Sequence, residues 1–200
     1  MRNLSRNFLI AAVAMVAVLF LIVGSSAQSG GPGTNGTKDK PLHIQGQAFG
    51  QAQQLGRTFG VNLIIEEYST QEDQQALLGA FKEKGNEGLV NALSKMKTKG
   101  RMAITGTLGY DVTYIKAFAQ PDGSTKLRLV TNRPLRFGEV WSDSRSSDYN
   151  LSGVELILNN EEKKNSGTLF PACQFKVDKE GQIQMELLQN AWRLAEVRIR

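Results

Sequence analysis

The side chains best suited to chemistry lie between Phe137 and Gly153, in the run FGEVWSDSRSSDYNLSG. Trp141 and Tyr149 bracket Asp143, Arg145 and Asp148 there. An aromatic ring can stack on a sugar face or lie along a lipid edge, while Arg and Asp orient a polar group by charge-assisted hydrogen bonds. The chemistry this predicts is recognition, with these five residues as the candidate ligand-binding set. The run is long for a connection in a compact domain, and long connections carry function more often than short ones. A purely structural reading of the same residues has the two Asp capping turns, Arg145 pairing with one of them, and the rings covering a barrel mouth.

Catalytic and metal chemistry find little support. His43 is the single histidine, whereas zinc hydrolases commonly use two or three and serine hydrolases need one beside the nucleophile. Asp143 and Asp148 lack the alternating spacing of a calcium loop. Gly106-Thr107-Leu108-Gly109 has neither the spacing nor the following helix of a phosphate-binding loop. Glu66-Glu67 and Glu161-Glu162 are adjacent, so on a strand each pair would split between opposite faces. No catalytic residue, metal ligand or cofactor is assigned. Carboxylates meeting from distant parts of the chain, as in glycoside hydrolysis, form the second alternative to a binding role.

These residues must be positioned by a β-rich scaffold. After a weakly extended start over His43 to Gly50, strands are predicted over Val61 to Tyr68, Arg101 to Thr107, Tyr110 to Ala119, Lys126 to Thr131, Val154 to Leu158, Gly167 to Val177 and Ile183 to Leu188, with a last one through Ala195, Val197 and Ile199. Leu127 and Leu129 face away from Lys126 and Arg128. Leu169, Pro171, Cys173, Phe175 and Val177 share one face by period two, so Cys173, the single cysteine, reads as a core thiol. Ser69 or Thr70 caps a helix with Glu72 and Asp73 in its first turn, and Gly85-Asn86 separates it from a second helix. The fold expected is α+β: a curved antiparallel sheet or incomplete barrel of seven to eight strands with an inserted αα-hairpin. Lys95, Lys97, Lys99 and Arg101 read as cations at the helix C-terminus. Arg193, Arg198 and Arg200 read as a basic outer edge that deters edge pairing.

The first 27 residues predict destination. Arg2 and Arg6 precede the uncharged run of 16 residues from Phe8 to Val23, and Ser25-Ser26-Ala27 offers small residues for cleavage. That order predicts a secretory signal peptide, and 16 residues fall short of the roughly 17–25 that span a bilayer. Residues 28–41, rich in Gly, Thr and Pro, read as a flexible linker, leaving 42–200 as a single β-rich domain. The net charge of +5 falls to +3 once Arg2 and Arg6 are removed, a mild excess spread along the chain that argues against nucleic acid.

The strings EEYSTQEDQQALLGAFKEKG, ITGTLGYD, DGSTKLRLVTNRP and GEVWSDSRSSDYNLSGVEL together resemble a group of small, uncharacterised exported bacterial proteins. The likeness runs from about Glu66 to the C-terminus. It implies a bacterial cell envelope and supplies no activity, substrate or site residue. The expectation is therefore a non-catalytic binding or interaction module, periplasmic or extracellular. It would take a lipid or other amphipathic small molecule or, alternatively, meet an envelope protein or anionic polymer. Membrane contact is expected only through an uncleaved signal segment.

Overall fold

The computed structural model describes residues 37, 39–133, 135, 151–177, 183–187 and 191–200. The strands are β1 (Leu42–Phe49), β2 (Thr58–Ile65), β3 (Gly100–Ile104), β4 (Tyr110–Ala119), β5 (Thr125–Thr131), β6 (Leu151–Leu158), β7 (Ser166–Val177), β8 (Ile183–Leu187) and β9 (Trp192–Ile199), with one helix, α1 (Gln71–Lys95), between β2 and β3. From β1 to β8 each strand pairs antiparallel with its successor. β9 then returns between β7 and β1. Eight strands thus close into a barrel, and β8 is an additional strand on the far half of β7. The barrel is closed, where the sequence predicts an incomplete one. Closure removes the edges that an open sheet must protect. β9 is therefore flanked by β1 along its length and by β7 from Trp192 to Leu194, so Arg193 guards no edge.

Eight strands enclose a lumen that side chains can just fill. Ile44, Ile65, Met102, Ile115, Leu129 and Trp192 form part of one contiguous buried cluster there, each at most 1 % exposed. Leu127 and Leu129 point inward as the alternation predicts, and Arg128 points out. Burying an aliphatic side chain of this size contributes roughly 1.5–3 kcal/mol.

Three bulges decide which residues reach that lumen. In β4 the register shifts between Val112 and Tyr114, so Thr113 is extra and both Val112 and Ile115 join the core. In β9 the extra residue falls between Ala195 and Arg198, where Glu196 adopts a left-handed φ of 52°, so Leu194 and Val197 both point inward. In β7 it falls between Phe170 and Cys173. Pro171, having no N–H to give the ladder, sits in that bulge. The single period-two face expected for β7 is consequently split. Leu169 lies in the barrel, whereas Cys173 and Phe175 lie outside it beneath α1. Cys173 is a buried thiol, and burial pushes its pKa up to about 12.

α1 starts in a capping box. The Thr70 hydroxyl accepts from the Asp73 amide at 3.2 Å, and the Asp73 carboxylate accepts from the Thr70 amide at 2.8 Å. The expected pair of helices is present as two helical segments of α1, parted by the non-helical Lys84 (φ −136°, ψ 18°) and Gly85 (φ 58°, ψ −142°). Past the break, a Cβ on Gly88 would lie 2.2 Å from the Ala80 carbonyl oxygen, so the two segments cross closely. Leu77, Leu89 and Leu93 form a second cluster with Tyr114, Val130, Leu151, Phe170, Cys173 and Phe175. Asn86, next to the break, accepts from the Phe175 amide at 2.9 Å and donates to the Gln174 side chain at 3.2 Å, extending the β7 ladder where no β6 residue pairs. The helix therefore covers the outer wall of β4 to β7, and β9, β1 and β3 present exposed Arg198, His43, Gln45 and Arg101.

The break makes two glycines behave oppositely. Gly85→Ala must force a side chain into a backbone region reserved for glycine and is expected to cost about 1–3 kcal/mol. Gly79→Ala, in a regular turn with open space around its Cβ, is expected to gain up to about 1 kcal/mol. Urea denaturation of the two variants reads both signs.

Candidate functional site

Trp141, Asp143, Arg145, Asp148 and Tyr149 lie outside the described residues. Their connection leaves β5 at Thr131 and re-enters at Leu151, so Leu151, Ser152 and Gly153 belong to β6 rather than to the connection. Its anchors are buried and polar. The Thr131 and Ser152 hydroxyls share a hydrogen bond at 2.6 Å, and both oxygens lie within bonding distance of the Arg133 carbonyl, at 2.5 and 2.9 Å, so one of them donates there. Leu135 turns back into the barrel cluster and its amide donates to the Pro171 carbonyl at 2.9 Å. The proposed signal segment and most of the linker likewise lie outside the described residues.

The same end of the barrel carries a groove of about 340 Å3. It is lined by Phe49 at the end of β1, by Gly50, Gln51, Leu55, Gly56 and Arg57 of the β1–β2 connection, by Thr58, and by Arg193 of β9. Strand register builds it: Phe49 pairs with Thr58 on one side and Arg193 on the other. The Arg193 guanidinium lies over the Phe49 ring, 5.1 Å from its centroid. Leu55 is 81 % exposed. The connection is tightly wound, because a Cβ on Gly50 would fall 2.0 Å from the Gln54 carbonyl oxygen. Ala52 holds φ 50°, a left-handed conformation that costs an L-residue about 1–2 kcal/mol. Phe59, on the opposite face of β2, packs against Trp192 in the lumen with ring centroids 4.7 Å apart.

At the other end, where α1 enters, an ion cluster ties the helix to the barrel. The Lys99 side chain is 5 % exposed; its ammonium bonds Asp73 at 2.9 Å and Glu67 at 3.2 Å, and Lys97 bonds Glu67 at 2.9 Å. The main chain of Lys99 is equally engaged, accepting from the amides of Glu66 and Glu67 and donating to the Val112 carbonyl. Read as one of four cations at a helix end, Lys99 is instead a buried counter-ion. A lysine at a strand entrance carries no local sign of acids 26 and 32 residues away. Hydrogen bonds from Lys97 and Lys99 hold the Glu67 carboxyl below its ordinary value of 4.5. Burial pushes the Lys99 ammonium down, but its bonds to Asp73 and Glu67 outweigh that and leave it above its ordinary 10.5. Two carboxylates do meet here, from distant points of the chain. However, both hold one ammonium, and a general acid needs a raised pKa rather than the lowered one of Glu67.

A second buried cation, Arg128, bonds Glu155 through Nε at 2.7 Å and through a terminal nitrogen at 2.5 Å. Lys126 reaches the other Glu155 oxygen at 3.2 Å, and the Phe118 ring lies 5.4 Å from the guanidinium. This pair bridges β5 and β6 on the outer wall at a register position where the two residues face each other. Among the described residues no group of three or more His, Cys, Asp or Glu could hold a metal ion.

Removing the buried ammonium leaves Asp73 and Glu67 facing each other without it. Lys99→Met is expected to cost about 2–4 kcal/mol, less than the roughly 3–5 of a fully enclosed pair because both acids keep some contact with water. The pH dependence has two limits. The Glu67 contribution is present above the ordinary carboxylate pKa and is lost as pH falls through its depressed one. The Lys99 contribution is present below the ordinary lysine pKa and is lost as pH rises through its elevated one. Urea midpoints taken across pH should fall off at both ends, and Glu67→Gln should flatten the acid limb.

No protein-family model matches the chain, no curated protein matches it, and no solved structure matches it.

Proposed function

We propose that the chain is an exported, non-catalytic binding module of the bacterial cell envelope, meeting its partner at the barrel end where β1 passes to β2 and β5 ends. The filled lumen supports this reading. Among the described residues, the inside of the barrel is occupied by a single apolar cluster, and the wall beneath α1 is occupied by the second. A small molecule held within the sheet or under the helix would have to displace side chains that are nearly all fully buried. Recognition then falls to the rim, where the groove and the anchors of the aromatic connection sit together. The side-chain types of Trp141, Asp143, Arg145, Asp148 and Tyr149 suit polar recognition with an aromatic platform.

Retention from envelope extracts tests the reading. The protein as recovered from cells, immobilised and washed at low and then high salt, should hold an envelope component whose recovery falls with salt and with Trp141→Ala. Retention indifferent to both changes, or turnover of a glycan substrate by the same preparation, would count against it.

A further inference from the structure

α1 covers one half of the barrel's outer wall and leaves the other half open. On the open half, Ile44, Val61, Leu63, Met102 and Leu194 take the inward positions of β1, β2, β3 and β9, so their neighbours along each strand face out. Register sets those neighbours in rows. Arg198, Gln45, Asn62 and Ala103 lie side by side across the four strands, with Ala195, Gln47 and Gly60 in the next row. Small residues keep the middle of this face low. A Cβ on Gly60 would fall 2.4 Å from the Thr105 hydroxyl, which instead reaches over β2 and accepts from the Asn62 side-chain amide at 3.2 Å. The side-chain amides of Gln45 and Gln47 have no hydrogen-bond partner among the described residues, and Arg198 is exposed with no ion pair among them. Arg193 lies beyond the second row, over the Phe49 ring, and Arg101 engages only its Nε, with the Leu108 carbonyl at 2.5 Å. Asp111, in register with Arg101, and Glu196, in the β9 bulge, pair with none of these guanidiniums.

Resting on the reading of the chain as a binding module, we propose that this open wall binds a strand of acidic polysaccharide. The polymer crosses β9, β1, β2 and β3 along the rows. Its hydroxyls exchange hydrogen bonds with Gln45, Gln47 and Asn62, whose amides both donate and accept. Its carboxylates meet Arg198 on one flank and Arg101 on the other, three strand spacings or roughly 14 Å apart across the sheet. A flat face with a low polar centre suits an extended chain, and neither row carries the large aromatic anchor that a protein partner would bury. A second copy of the same wall would set arginines against arginines. Single-stranded nucleic acid needs rings on which its bases stack, and Phe49, the aromatic ring at the margin of this face, already lies beneath Arg193.

The test is calorimetric titration of the protein as recovered from cells with polygalacturonate, with dextran as the neutral polymer and polyglutamate as the acid without sugar hydroxyls. Polygalacturonate should bind about tenfold more tightly than either at low salt and weaken as salt rises. Arg198→Ala should weaken it by about tenfold, the loss of one charge-assisted contact, with the unfolding midpoint unchanged because the side chain is exposed and unpaired. Gln45→Ala should weaken polygalacturonate and leave polyglutamate as it was. Polyglutamate binding as tightly as polygalacturonate, or Arg198→Ala without effect, overturns the proposal. A single-stranded oligonucleotide that binds more tightly than polygalacturonate assigns the face to nucleic acid and overturns it as well. If no polymer binds while envelope extracts still yield a component whose recovery falls with Trp141→Ala, the wall assignment falls and the module reading stands. If that retention fails too, both fall.

Discussion

The pairing of β9 with β1 is the constraint on which the rest of the structure depends. Ile44 lies opposite Ile199 and Phe49 opposite Arg193, so the ladder joins residues more than 140 positions apart in the chain. Without it the sheet would end in two open edges, and the Trp192, Leu194 and Val197 side chains would have no lumen to fill. The bulge at Glu196 belongs to this joint. It absorbs one residue so that both halves of β9 point apolar side chains the same way. The groove is a by-product of the same joint, because Phe49 meets Arg193 only through this register.

Around that closed ring the molecule is divided by what covers it. The α1 side is dry, with its apolar cluster bordered by paired ions: Lys99 with Asp73 and Glu67 at the helix entrance, Arg128 with Glu155 on β5 and β6. Buried charges of this kind add little net stability over an apolar core, yet they penalise any arrangement that separates them. Lys99 serves both roles of a joint, since its main chain continues the barrel while its side chain reaches the helix cap. The helix cannot shift along the wall without breaking one of them.

Local regularities of the sequence were the readable part. Alternation places Leu127 and Leu129 inward, and Thr70 with Asp73 marks the start of α1. Gly85 marks the break between the two helical segments of α1. What was not readable depends on distance along the chain. Leu42–Phe49 looked only weakly extended, because two glutamines and a glycine dilute its pattern, and its strand character comes from β2 and β9 on either side. Closure itself has no local signature. The face of β7 was misread across the bulge although Pro171 stood there as a signal, since proline inside a strand points to an edge or an irregularity. Of the site, the five aromatic and charged residues between β5 and β6 fall outside the described residues, while Phe49 and Arg57 have no local spacing to mark them and Arg193 reads from sequence only as part of a basic edge.

The position of β9 also bears on when the barrel can form. A meander from β1 to β7 can assemble stepwise from strands adjacent in sequence, with α1 between β2 and β3 and one long connection between β5 and β6. The final ladder closes a loop of most of the chain, and its strand is the last of the nine in sequence. Topologies that rest on such distant contacts fold slowly. Until Trp192–Ile199 is available, β1 and β7 expose unpaired edges to any other chain nearby, and the apolar interior is open along one side. The barrel is therefore a fold completed all at once and late, by the segment that emerges after all its other strands.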